Sequence, residues 1–225
     1  MQIAVRAQHP HTLREAHGAL ASVRLEQGDW ETAQRVFEHG LTLLRPGGVT
    51  DANLLSGLGY AYTLAGRLSD ALPLLEQTVQ SDVSINAMGL GLAVRVSRLA
   101  DAYLRAGRAD EALMRARGAV ELSKKYQERV NEAIGLRVFA EVTALGKPGD
   151  AARAATSYAD SLAIAQELGM RPLVAHCHLG LGKLSRRTGD GANAQRYLQT
   201  ARAMYREMGM PFWVATVDAA LADTD

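Results

Sequence analysis

The stretch LADAYLRAGRADEALMRARGAV, residues 99–120, reads as two short helices joined by a tight turn. Leu99, Ala100, Tyr103 and Leu104 recur at helical spacing in its first half, and Ala109, Ala112, Leu113, Ala116 and Val120 form one stripe in its second. Between them Gly107 supplies the left-handed backbone that ends a helix, and Asp110 and Glu111 fall in the next first turn, where they offset the helix dipole. Small residues at Ala100, Ala112, Ala116 and Ala119 allow close approach, while Leu99, Tyr103 and Leu113 fill the space between the helices. One pair alone cannot bury both of its faces, so the unit calls for neighbours.

The neighbours are present. The unit recurs at 20–41, 58–79, 138–162 and 181–202, with turn glycines at Gly28, Gly66, Gly107, Gly146 and Gly189, spaced 38, 41, 39 and 43 residues apart by subtraction. Gly28, Asp29 and Trp30 make the first turn, followed by Ala33 and Phe37 on the inward stripe. Leu58, Gly59, Tyr62, Gly66, Ala71 and Leu75 repeat the pattern, with Pro73 near enough to a first turn to be tolerated or to impose a mild kink. In the segment SDVSINAMGLGLAV, Ser84 is a candidate N-cap for a helix running from about Ile85, and Gly89 and Gly91 suit close helix packing. The fourth copy carries Lys147, Pro148, Gly149 and Asp150 at its turn, an insertion of about three residues that belongs in a loop. The fifth returns to pattern with Leu181, Gly182, Gly189, Asp190, Ala194, Leu198 and Ala201. After it, Met210, Pro211, Phe212 and Trp213 open a last amphipathic helix whose Val214, Val217 and Leu221 cover the open end of a stack.

The expected architecture is an all-α, right-handed α-solenoid of about five helix pairs, at about 12–46, 50–82, 85–126, 128–169 and 171–208, with a cap at 211–223. The junction ELGMRPLVAH at 167–176 is echoed by EMGMPFWVAT at 207–216 and more loosely by RAQHPHTLRE at 6–15. On that comparison residues 1–8 are the tail of a preceding helix, the chain begins in mid-repeat as a piece of a longer protein or a trimmed homologue, and the half-repeat offers a surface for a homodimer.

Composition narrows the function classes. The 225 residues are 48% apolar and 22% charged with a formal net charge of +1, which supplies no global pull toward nucleic acid or anionic membrane. The single Cys177 excludes an internal disulfide and a multi-cysteine zinc site and fits a cytoplasmic setting. The opening residues lack the apolar core of a signal peptide, and no run approaches the roughly 20 apolar residues that cross a bilayer.

Helix pairs carrying Leu-Gly or Leu-Ala, then Tyr, Gly, Ala and a large apolar residue resemble the tetratricopeptide repeat. The period exceeds that family's usual 34, and the first-helix Trp is replaced at His17, Leu55, Val96, Gly135 and His178. The run from Glu167 to Trp213 also resembles the C-terminal repeat regions of bacterial multidomain signalling proteins, where such repeats follow an ATPase module joined to a nucleotide cyclase or a LuxR-type DNA-binding domain. That resemblance implies a regulatory or sensor segment and brings no active site. Chaperone-binding members use a Lys and Asn carboxylate clamp; Ser56 with Tyr60 and Ser97 with Asp101 stand at those places, so that clamp is not expected.

Catalytic chemistry is not indicated, and neither a cofactor nor a metal site is expected. His176, Cys177 and His178 are sequential on a helix and point in different directions, so they do not converge on one metal. Gly182-Lys183 lacks the earlier glycine and the hydroxyl residue of a phosphate loop. The expected site is instead the concave face lined by the first helix of each pair, where Ser22, Glu26, Tyr60, Thr63, Arg98, Asp101, Arg105, Arg137, Lys183, Arg186 and Arg187 fall at outward positions. Its later half is basic and suits a protein or peptide ligand of acidic character, held by charge-assisted hydrogen bonds.

Overall fold

The computed structural model describes residues 10–43, 51–85, 91–146 and 150–222. They form five antiparallel helix pairs and a last helix: α1 (Pro10–Gln27) with α2 (Trp30–Thr42), α3 (Ala52–Leu64) with α4 (Leu68–Ile85), α5 (Leu92–Arg105) with α6 (Ala109–Lys125), α7 (Arg129–Ala144) with α8 (Ala151–Glu167), α9 (Arg171–Arg187) with α10 (Gly191–Glu207), and α11 (Pro211–Ala222). The fold is an α-solenoid.

The opening stretch folds as its pattern requires. Leu99, Ala100, Tyr103, Ala112, Ala116 and Ala119 are all buried, in one core with Leu75, Val79, Val138 and Val142 from the pairs on either side. Gly107 has φ +75°, and around it Arg108 N–H donates to the Tyr103 carbonyl at 2.9 Å, satisfying a terminal carbonyl that the helix itself cannot pair. The same bond recurs from Asp29 to Arg24, from Arg67 to Tyr62 and from Asp190 to Ser185, and between pairs from Glu128 to Ser123, Met170 to Ala165 and Met210 to Tyr205. All these turns use a left-handed glycine except the one before α7, where Gln127 takes φ +56°.

Two arginines brace successive turns in the same way. Arg67 lies 4.2 Å over the Tyr62 ring and bonds Asp70, while the Tyr62 hydroxyl donates to Glu38 on α2 at 3.2 Å. Arg108 lies 4.2 Å over the Tyr103 ring and bonds Glu111, while the Tyr103 hydroxyl donates to Glu76 on α4 at 2.7 Å. Each brace ties a turn to the second helix of the preceding pair.

The third pair starts later than its sequence suggests. Helix α4 continues through Ile85, the residue at which the spacing places the start of the next helix, and α5 begins only at Leu92. The reason is Gly91, whose φ of +78° interrupts the chain before α5; it is a helix boundary rather than a packing glycine. Gly89, the 147–149 insertion and the N-terminal half-repeat at 1–8 lie outside the described residues. Helix α4 runs on through Pro73, where both Pro73 and Ser69, whose carbonyl loses its donor, are exposed.

First helices touch in succession, α1 to α3, α3 to α5, α5 to α7 and α7 to α9, and so form the inner row of the array. The last helix packs on α10 and also reaches back to α1, so that the two ends of the array meet.

Candidate functional site

The inner row is lined by α1, α3, α5, α7 and α9, and its charged residues lie close enough to act on one another across it. On α3, burial and the nearby Asp101 carboxylate push the Tyr60 hydroxyl well above its usual range, with Arg137 and Arg105 opposing and Glu141 adding to the rise. Arg98 stands 5.6 Å from the Tyr60 ring and donates to Ser56 Oγ at 3.3 Å; burial draws its pKa down, with Tyr60 and Glu26 opposing. Arg105 pairs with Asp101 at 3.1 Å, and that carboxylate holds the guanidinium above its ordinary value. On α7, Arg137 pairs with Glu141 at 2.5 Å; burial works against the charged form, but Glu141, Tyr60 and Asp101 outweigh it. Burial lowers the pKa of Lys183 on α9, with Glu141 opposing and Arg105 and Arg186 adding to the drop.

Six of the sequence-selected residues are therefore in one electrostatic neighbourhood: Tyr60, Arg98, Asp101, Arg105, Arg137 and Lys183. Others are placed differently. Thr63 is only 1% exposed and its hydroxyl donates to the Gly59 carbonyl at 2.9 Å, so it belongs to the core of its pair and not to a binding surface. Arg186 donates to the Ala220 carbonyl at 2.5 Å and secures α11 to α9. Arg187 is exposed at the last position of α9 and acts on Tyr158. The expected basic half is in fact mixed in charge, because Glu141 opposes both Arg137 and Lys183.

One inner residue, Glu141, and one contact, that of His176 with the first pair, escaped the sequence reading. Glu141 lies one helical turn beyond Arg137, a spacing at which opposite charges meet, and that spacing was the available signal. His176 shares a 2.7 Å hydrogen bond with the Tyr205 hydroxyl and lies 3.6 Å from the Glu26 carboxylate on α1; no local pattern announces a contact between the first and last pairs. Burial would lift the Glu26 carboxyl, but its bond to His176 and the charges of His176, Arg137 and Arg98 hold it below the usual carboxylate range. Cys177 is fully buried and shares a 3.3 Å contact with Ser161 Oγ, so it is a core residue. Among the described residues there is no cluster of His, Cys, Asp and Glu that could hold a metal ion, and no helix long and apolar enough to cross a membrane.

Residues 12–82 match the family model of the tetratricopeptide repeat. Over that stretch the chain carries tetratricopeptide repeats. Similar solved structures include the nearly identical TPR-like repeats of a putative kinesin light chain from Podospora anserina, at 21% identity and TM-score 0.57, covering 89% of this chain and 98% of that one. BtubC from P. vanneervenii is similar at 18% identity and TM-score 0.61, covering 92% and 86%. Aspartyl phosphate phosphatase F from Bacillus subtilis is similar at 13% identity and TM-score 0.62; 93% of this chain aligns with 55% of that one. At these identities the likeness is one of fold. No curated protein matches the chain in sequence. Tetratricopeptide repeats commonly serve as protein–protein interaction modules, and the fold is typically non-catalytic.

Proposed function

We propose that this tetratricopeptide array is a non-catalytic module that binds a peptide, or a segment of a partner domain, against the inner row of first helices. The observation that supports it is the convergence of Tyr60, Arg98, Asp101, Arg105, Arg137 and Lys183, from four different helices, on one electrostatic neighbourhood. Arg98, Arg105, Arg137 and Lys183 supply donors for acidic side chains or a terminal carboxylate. Because Glu26, Asp101 and Glu141 already oppose those cations, the ligand is selected by its pattern of charge more than by its net charge. The same interleaving favours a protein ligand over nucleic acid. A cytoplasmic setting is part of this reading, resting on the single unpaired thiol.

The resemblance of residues 167–213 to signalling-protein repeats supports a second reading. In it the array is the regulatory segment of a larger bacterial ATPase, nucleotide cyclase or transcription regulator, and another part of the same polypeptide occupies the inner row.

The test is charge reversal. Replacing Arg98, Arg105 and Arg137 together with Glu should abolish recovery of the natural partner in a pull-down, with helix content checked by circular dichroism. Undiminished recovery by a folded variant would move the binding site to the outer face or the ends.

A further inference from the structure

The two ends of this solenoid are fastened to each other. At the start of α11, Trp213 Nε1 donates to the Glu26 carbonyl at 2.8 Å, across 187 residues of sequence. Its neighbour Phe212 meets Trp30 edge to face, with ring centroids 4.4 Å apart. Gly28 lies directly beneath the Phe212 ring; a Cβ there would come within 2.7 Å of it, so the first turn is shaped to receive that ring. His176 completes the closure, packing 4.5 Å from the Trp213 ring and reaching Glu26 from α9. The residues of this junction come from the first pair, the last pair and the cap.

The junction is small. It consists of one hydrogen bond from a side chain to a main-chain carbonyl, the Trp30–Phe212 pair with Gly28 beneath it, and the His176–Glu26 contact, whereas consecutive helix pairs share continuous buried cores. It is therefore the weakest link around the array, and the one that separates without unpacking a repeat. We propose that α11 is a latch: it closes the solenoid into a ring, and macromolecules reach the inner row only when Phe212 and Trp213 leave Gly28, Trp30 and Glu26.

Size-selective labelling tests this in the whole chain. Ser22→Cys places a thiol on α1 beside the inner cavity that Arg98 also lines. Arg117→Cys places one on the exposed face of α6 as a control. The native Cys177 is fully buried, so the unsubstituted chain gives the background rate. The Ser22→Cys thiol should react readily with N-ethylmaleimide and slowly with a maleimide carrying a long polyethylene glycol chain. Adding Phe212→Ala should raise the rate of the large reagent by about tenfold or more, since a minor open state is populated at about 0.1–10% before the latch is cut. Trp213→Phe, which keeps an aromatic ring but loses the indole N–H together with its five-membered ring, should raise it by a smaller factor. Labelling at Arg117→Cys should not change, and circular dichroism should report unaltered helix content in each variant. Equal rates of the large reagent with and without Phe212→Ala would overturn the proposal. So would a large reagent that stays excluded after both substitutions, because the inner row would then be closed by something other than α11.

Discussion

Two helix-interior glycines should respond to alanine with opposite sign. Gly180 on α9 faces the Tyr158 ring so closely that a Cβ would lie 2.4 Å from Cε1 and Cζ, while a Cβ on Gly118 of α6 meets nothing within 4 Å. Alanine gains about 1 kcal/mol over glycine in a helix interior. Gly118→Ala should therefore stabilise by about that amount. At Gly180 the same gain is set against overpacking, which costs about 1–3 kcal/mol. Tyr158 has little room to retreat, being 2% exposed and enclosed by Ala140, Ala154, Leu181 and Leu184. The net effect of Gly180→Ala is a loss of about 0–2 kcal/mol, leaving the two variants about 1–3 kcal/mol apart. For a chain of this length that is about 2–4 °C in Tm for each kcal/mol. Thermal unfolding followed by circular dichroism, with urea midpoints alongside, reads the difference directly. Combining Gly180→Ala with Tyr158→Leu should recover part of the loss, because the two positions share one contact. If both alanine variants shift Tm upward by the same amount, close packing of α8 on α9 does not constrain Gly180 and the reasoning fails.

Gln127 is the exception among otherwise glycine turns, at φ +56°, so Gln127→Gly should stabilise by about 1 kcal/mol, seen as a higher urea midpoint; a lower one would mean that the side chain has a role beyond the turn. Burial pushes the Cys177 thiol up to about 11 from an ordinary 9.0, against its bond with Ser161 and the Arg137 charge. The folded chain then holds that proton more tightly than the unfolded chain, so the contribution to stability is whole below pH 9 and is lost as pH rises toward 11. Unfolding free energy should fall less steeply across that window in Cys177→Ala, and identical slopes would show that this thiol is not the titrating group.

What was legible in the sequence was what neighbouring residues decide among themselves. Gly107, its flanking small residues and Leu99 specify a helix pair within 22 positions, and repetition of that pattern specifies the stack. The misplaced start of α5 has the same local origin, since Ser84 and Ile85 satisfy a helix-start pattern while already belonging to α4. Thr63 occupies an outward place in the repeat register but is sealed by its own Gly59 carbonyl, a choice between carbonyl and solvent that spacing does not reveal. The junction of Trp213 with Glu26 depends on small rotations summed over five pairs. No single repeat carries that sum.

That junction also alters how the chain should come apart. In an open repeat array each end has one neighbour, so terminal units fray first and amide protection tapers outward from the middle. Here α11 rests on α1, so the first pair is supported by α3 on one side and by the cap on the other. Amide exchange in the first and fifth pairs should therefore approach that of the third, and a break in any one pair should expose two new ends at once.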